Sequence, residues 1–132
     1  MNLISSEKKS SSTWEKWSLE AQESALAEGK LVLVDVTADW CITCKVNKTL
    51  VLDSPPLVNK LFGLYKEKKL VMLQADWTRP DKKILDFLAS HGRYGIPFNV
   101  IYSPESKEGV ILGELLTSEM VLNGLVKAGI RP

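Results

Sequence analysis

Short apolar runs separated by amphipathic stretches organise this sequence. Residues 31–36 and 70–75 are apolar or β-branched except for one polar residue each, which is typical of strands buried on both faces. A third run, residues 96–102, has its proline near the start, where the lost backbone N–H does least harm to a strand. Residues 110–113 predict a short fourth strand, after a polar turn at residues 103–109.

The amphipathic stretches between these runs predict helices. A capping box at residues 12–15 opens the first helix, which Gly29 ends. The others run over residues 42–52, from Pro56 to the lysine-rich residues 66–69, from Thr78 to Gly92, and from Thr117 or Ser118 to about residue 128. Strand–helix alternation implies parallel strands, and the last two strands imply an antiparallel hairpin. We therefore expect an α/β fold, with a mixed central sheet of about four strands and helices on both faces.

The length of 132 residues fits one domain. Residues 1–12 are polar and predict a flexible N-terminal arm or an expression remnant, which leaves residues 13–132 as the domain. Seventeen basic residues against 16 acidic ones give a net charge of +1, so we expect no bulk attraction to nucleic acid. Apolar runs are far shorter than the roughly 18 residues of a membrane span, which predicts no membrane insertion of this segment.

The two cysteines, Cys41 and Cys44, lie where the first predicted strand gives way to a helix. A thiolate at a helix N-terminus is stabilised by the helix dipole and by unpaired N–H groups. We therefore expect Cys41 to be an exposed nucleophile and Cys44, one turn later, to resolve the mixed disulfide that it forms. The pair itself would be the redox centre, with no further cofactor and no metal.

Three other interpretations of the cysteine pair stay open at this point. A structural disulfide across four residues would restrain the unfolded chain little. A zinc site would need four ligands, and His91 is the only histidine. Two unrelated buried cysteines would not need a strand-to-helix junction.

The segment around the cysteines resembles the active site of the thioredoxin superfamily. More narrowly, it is similar to the C-terminal periplasmic domain of DsbD/ScsB-like thiol:disulfide interchange proteins. The resemblance covers roughly residues 14–130 and rests on Ala38-Asp39-Trp40-Cys41, Cys44-Lys45, residues 74–78 and Gly95-Ile96-Pro97. It implies a three-layer α/β/α thioredoxin-like fold.

The resemblance also implies roles for individual residues. Asp35 would be a buried carboxylate that exchanges a proton with Cys44, the alternative being an aspartate facing solvent at a strand edge. Pro97 would follow a cis peptide bond, and Ile96 would offer its backbone to a partner strand. Trp40 would be an exposed aromatic residue beside the nucleophile, the alternative being a core tryptophan.

Other residues near the motif are candidates for tuning the thiols or facing a partner. Lys48 differs from the pattern of the related domains, which commonly carry an acidic residue seven positions after the first cysteine. A lysine there would lower a thiol pKa, or it points away and changes nothing. Asp39 tunes Cys41 or only solvates its loop. Lys45 is a further tuning candidate, Trp77, Arg93 and Tyr94 are candidates for the partner-facing side, and His91 is expected on the surface after a helix.

The resemblance implies a thiol:disulfide oxidoreductase that acts as a reductant. Electrons would pass from a membrane-embedded Cys pair to periplasmic disulfide proteins, such as another DsbD domain or proteins serving cytochrome c biogenesis. We expect a monomeric periplasmic domain of an inner-membrane protein. The alternatives are a free-standing thioredoxin-like reductase, which the replacement of Gly-Pro by Ile42-Thr43 weakens, and a non-catalytic metal-binding or folding-helper module.

Overall fold

The computed structural model describes residues 13–130, and the predicted arm of residues 1–12 lies outside them. The strands are β1 (Trp14–Lys16), β2 (Leu31–Thr37), β3 (Leu70–Asp76), β4 (Phe98–Ser103) and β5 (Ser106–Ile111). The helices are α1 (Leu19–Ala27), α2 (Ile42–Asn47), α3 (Leu57–Lys66), α4 (Lys82–Ser90) and α5 (Ser118–Ala128). A π-helical segment, Lys48–Leu52, continues α2.

The sheet has the strand order β1-β3-β2-β4-β5. The pairs β1–β3 and β3–β2 are parallel, and the pairs β2–β4 and β4–β5 are antiparallel. The predicted mixed sheet is therefore confirmed, with one more strand than the sequence indicated.

Alternating side chains of the sheet build two hydrophobic clusters. On one face, Leu33 packs in a cluster with side chains of α3, α5 and the π-helical segment. On the other face, Val34 packs with side chains of α1 and α4. The sheet thus lies between two helical layers, and the three-layer α/β/α architecture is confirmed.

The first predicted helix is wrong at its start. Trp14–Lys16 pair with β3 as a strand, and α1 begins only after Ser18, whose side-chain oxygen accepts a hydrogen bond from the N–H of Ala21. Strand pairing overrides the local capping signal here, because Trp14 packs against the core cluster of α3 and α5. Gly29, at φ +84°, ends the turn after α1 as expected.

Other boundaries also differ from the sequence prediction. Asp81, not Thr78, caps α4, and its carboxylate accepts hydrogen bonds from the N–H groups of Lys83 and Ile84. The hairpin turn is shorter than predicted, because β5 already begins at Ser106. Thr117 caps α5 as predicted. Within residues 13–130, no helix combines the length and the apolar character needed to cross a membrane.

Candidate active site

Cys41 and Cys44 form a disulfide at the start of α2. Cys41 is the N-cap residue, in an extended backbone conformation, and its Sγ accepts a hydrogen bond from the N–H of Cys44 at 3.2 Å. This N–H belongs to the first helical turn and has no main-chain acceptor within the helix. It points instead at the sulfur on which a Cys41 thiolate would carry its charge. The predicted helix start at the cysteine pair is confirmed, and it places one helical N–H donor at the sulfur of Cys41.

The expectation that Cys41 is exposed is wrong for this disulfide form. Cys41 is only 6% exposed and Cys44 only 2%, because Ala38 and Ile96 pack around the pair. The sulfur of Cys44 lies 3.9 Å from the carbonyl oxygen of Val36, which places it above the end of β2.

Asp35 lies in the middle of the sheet and is 3% exposed. Burial raises its pKa from 3.8 to about 6, against the opposing effects of a hydrogen bond from Asn99, the charge of Lys48 and a hydrogen bond with Gln74. The carboxyl is therefore poised to take up or release a proton near neutral pH, and the solvent-facing alternative is wrong.

Pro97 is buried and follows a cis peptide bond, as the resemblance implied. Ile96 is half-buried against the cluster of Ala38 and the two cysteines. The loop before β4 thus lies directly beside the disulfide.

Trp40 is 59% exposed, so it is a surface residue and not a core tryptophan. Its indole N–H donates to the carbonyl oxygen of Thr78 at 3.3 Å, and its ring lies 6.3 Å from that of Trp77, between centroids. The backbone N–H of Asp39 donates to the hydroxyl of the same Thr78 at 2.9 Å. Thr78 therefore fixes the loop before Cys41, a role that the sequence prediction missed.

Lys48 lies in the π-helical segment, and its side chain contacts Asp53 and Trp14. Its Nζ is 3.2 Å from the carboxylate of Asp53 and 5.4 Å from the ring centroid of Trp14. Its charge lowers the pKa of Asp35. Lys45, by contrast, is exposed in the last turn of α2.

His91 directly follows α4, as expected, and is half-buried. Its Nε2 is 2.6 Å from the hydroxyl of Tyr102, and its ring packs against Phe87 and Phe98. Burial, with a smaller effect of the Arg93 charge, lowers the pKa of His91. This aromatic cluster supports the loop before β4, whereas Tyr94 in that loop is exposed.

Two buried asparagines were missed by the sequence prediction. The amide of Asn99 donates to Asp35 at 2.8 Å. The side chain of Asn47 donates to the carbonyl oxygen of Glu114 at 2.8 Å and accepts from the N–H of Leu116 at 3.0 Å. Asn99 stands in an apolar strand just as Asp35 does, and that same signal could have identified it.

Comparison with known proteins places this site in a family context. Residues 13–104 match the family described as thioredoxin-like. The chain is 34% identical to the thiol:disulfide interchange protein DsbD of Vibrio cholerae over 77 residues, which are 58% of this chain and 12% of that protein. It is 33% identical to the thioredoxin-like chloroplast protein HCF164 of Arabidopsis thaliana over 103 residues, which are 76% of this chain and 35% of HCF164.

Solved structures share the fold. The oxidised C-terminal domain of DsbD from Neisseria meningitidis superposes with a TM-score of 0.65 at 20% identity, covering 86% of this chain and 98% of that domain. A thioredoxin from Thermus thermophilus superposes with a TM-score of 0.62 at 23% identity, covering 88% of each chain.

Proposed function

The chain belongs to the thioredoxin-like family, and from this premise we propose that it is a protein-disulfide reductase of the DsbD type. It is a thioredoxin-fold oxidoreductase related to DsbD and HCF164, with a disulfide-capable CxxC pair. The observation that carries the proposal is the Cys41–Cys44 disulfide at a helix N-terminus, above a strand that holds a buried carboxylate.

The reaction begins with the reduced pair. The Cys41 thiolate attacks one sulfur of a partner disulfide, forming a mixed disulfide and releasing the other partner sulfur as a thiolate. Cys44 then gives its proton to the Asp35 carboxylate, and its sulfur attacks Sγ of Cys41. The bond between Cys41 and the partner breaks, the partner leaves as a second thiolate, and two electrons have passed to the partner.

The electron source would be a membrane-embedded Cys pair, and the acceptors would be periplasmic disulfide proteins or another domain of the same protein. The named relatives support this assignment, since several of them are DsbD proteins. This chain spans only a small part of their length. The soluble acceptors, including those that serve cytochrome c biogenesis, and the periplasmic location belong to the proposal.

Trapping the mixed disulfide tests the chemical part of the proposal. Reduced Cys44→Ala, incubated with a peptide disulfide, should gain the mass of one peptide half and lose it on reduction with dithiothreitol, because Cys41 attacks and nothing resolves the adduct. Cys41→Ala is the matched control and should form much less adduct, because Cys44 is the more buried of the two cysteines and lies inside the first turn of α2. Equal labelling of both variants would reverse the assigned roles, and no adduct in either would refute the mechanism.

Electron delivery tests the membrane link. Vesicles that contain the reduced transmembrane domain of a DsbD protein should convert the Cys41–Cys44 disulfide to the dithiol. Reduction by a soluble thioredoxin reductase, with none by the vesicles, would favour the free-standing thioredoxin-like alternative.

A further inference from the structure

Three polar side chains form a row across the middle of the sheet. Asp35 of β2 is in register with Gln74 of β3 on one side and with Asn99 of β4 on the other. All three point to the face that the π-helical segment covers, because side chains two residues along each strand, such as Leu33 and Ile101, belong to the cluster on that face. This segment directly continues α2, the helix that begins at the cysteine pair. The row therefore lies on the cysteine side of the sheet.

Asn99 binds Asp35 through its amide nitrogen and not through its amide oxygen. Its Nδ2 donates to Oδ1 of Asp35 at 2.8 Å, and the Asn99 side chain is 1% exposed. Its own Oδ1 is buried without a hydrogen-bond partner among the described residues. A buried acceptor that goes unpaired costs free energy, so this orientation has to be held by the bond that the amide donates.

The direction of this bond favours one protonation state of Asp35. An amide N–H stabilises an ionised carboxylate more than a neutral acid, because hydrogen bonds to charged acceptors are the stronger ones. The other groups that affect Asp35 are Lys48 and Gln74, which also favour the carboxylate, and Asp53, which opposes it. Asn99 has the largest of the favourable effects and so offsets part of the cost of burial.

We propose that Asn99 is a positioning residue of the disulfide exchange reaction, an inference that rests on the proposed function. Its amide holds the Asp35 carboxylate ionised and oriented, ready to accept the Cys44 proton when the mixed disulfide is resolved. Asn99 touches neither sulfur nor partner and acts only through Asp35. Without the amide, Asp35 keeps its own proton to higher pH and less carboxylate is available near neutrality.

Asn99→Leu tests the proposal, because it removes the donated hydrogen bond at similar side-chain volume. The carboxyl ¹³C shift of Asp35, followed by NMR against pH in the disulfide form, should give a midpoint about one pH unit or more above that of the wild type. Resolution of the mixed disulfide, followed by rapid acid quench and mass spectrometry, should be about two- to tenfold slower at pH 7 and recover toward pH 9. A purely structural role would not move the pH midpoint.

Ser103→Ala is the matched control, because Ser103 is also a buried polar residue of β4 and its hydroxyl has no hydrogen-bond partner among the described residues. It should leave both pH profiles unchanged. Asn99→Ser, a smaller substitution, is measured in parallel so that a misfolded leucine variant does not end the test, and it should raise the midpoint as well.

The outcomes separate this proposal from the proposed function. Unchanged Asp35 midpoints in the folded Asn99 variants, with a wild type that exchanges disulfides normally, would overturn the role of Asn99 alone. A wild type that exchanges no disulfide would overturn the proposed function instead.

Discussion

Asp35 carries a conflict between stability and function. The carboxyl is buried in the sheet, and its pKa is raised to about 6 chiefly by burial. A raised carboxyl pKa means that the folded protein holds the proton more tightly than the unfolded chain does. The protonated Asp35 carboxyl therefore makes its full contribution to folding stability below pH 3.8, and this contribution is lost as the pH rises through about 6. The ionised carboxylate, which lowers folding stability, is the form that can accept the proton of Cys44.

Asp35→Asn should stabilise the disulfide form, relative to the wild type, more at pH 8 than at pH 4. The shift from 3.8 to about 6 corresponds to about 3 kcal/mol, which the uncharged amide does not lose. Urea denaturation at the two pH values measures the difference in unfolding free energy between variant and wild type. The same variant should resolve mixed disulfides more slowly near neutral pH.

The exposed carboxylate of Asp39 provides the control for this measurement. Asp39→Asn should change the difference in unfolding free energy between pH 4 and pH 8 by less than about 0.5 kcal/mol. An Asp35→Asn variant whose added stability is the same at both pH values would show that burial of the charge is not the cause.

For individual residues, the sequence predicted the reactive groups better than the residues that hold them in place. The resemblance of its segment to the thioredoxin superfamily pointed to Asp35, and the strand-to-helix junction pointed to Cys41 and Cys44. Asn99 was missed because its partner stands 64 residues away along the chain, and only the antiparallel register of β2 and β4 brings the two together. The polar position of Asn99 in an apolar strand is a local signal, but its pairing with Asp35 depends on the whole sheet and cannot be found from the strand alone.

The active-site helix depends on a connection that lies outside its own sequence. Asn47, at the end of α2, is 2% exposed and bonds the backbone of Glu114 and of Leu116 in the loop before α5. These bonds satisfy the buried N–H of Leu116 and the carbonyl oxygen of the exposed Glu114, and they join α2 to the loop. The π-helical segment follows at once, with the N–H of Asp53 bonded to the carbonyl oxygen of Lys48 at 2.8 Å.

Asn47→Ala should destabilise the disulfide form by about 2–4 kcal/mol, because a buried N–H and a carbonyl oxygen each lose their partner. Urea denaturation at pH 7 measures the change. Thr49→Ala, at an exposed position two residues later, is the control and should stay within about 0.5 kcal/mol of the wild type. A loss below about 1 kcal/mol for Asn47→Ala would mean that water or a rearranged loop replaces these bonds.

Elements with strong local patterns were predicted well, and elements that depend on pairing were not. Residues 31–36 and 70–75 gave β2 and β3 almost to their ends, because a buried strand shows in its own composition. β1 was taken for a helix, because three residues are too few for a period and the capping box favoured the wrong element. The pairing of Trp14 with Met72 decides its structure.

The topology of the whole sheet explains why the site lies where it does. β2 and β3 are parallel, and their last residues, Thr37 and Asp76, are in register, so the loops that carry Trp40 and Trp77 leave the same edge together. β4 runs antiparallel and brings Pro97, just before its first residue, to that edge. One end of the sheet thus collects the disulfide, the proline loop and two tryptophans from segments far apart along the chain.

The reduction potential of the Cys41–Cys44 pair is the property that decides the direction of electron flow. A donor to periplasmic disulfides should have a value near that of thioredoxin, about −270 mV, whereas an oxidant would lie near −120 mV. Equilibration with glutathione redox buffers at pH 7, followed by acid quench and mass spectrometry of alkylated thiols, measures it. Each difference of about 30 mV changes the ratio of dithiol to disulfide tenfold, so the two cases are separated by about five orders of magnitude. A value near −120 mV would leave the exchange chemistry of Cys41 and Cys44 intact and reverse the direction that we propose.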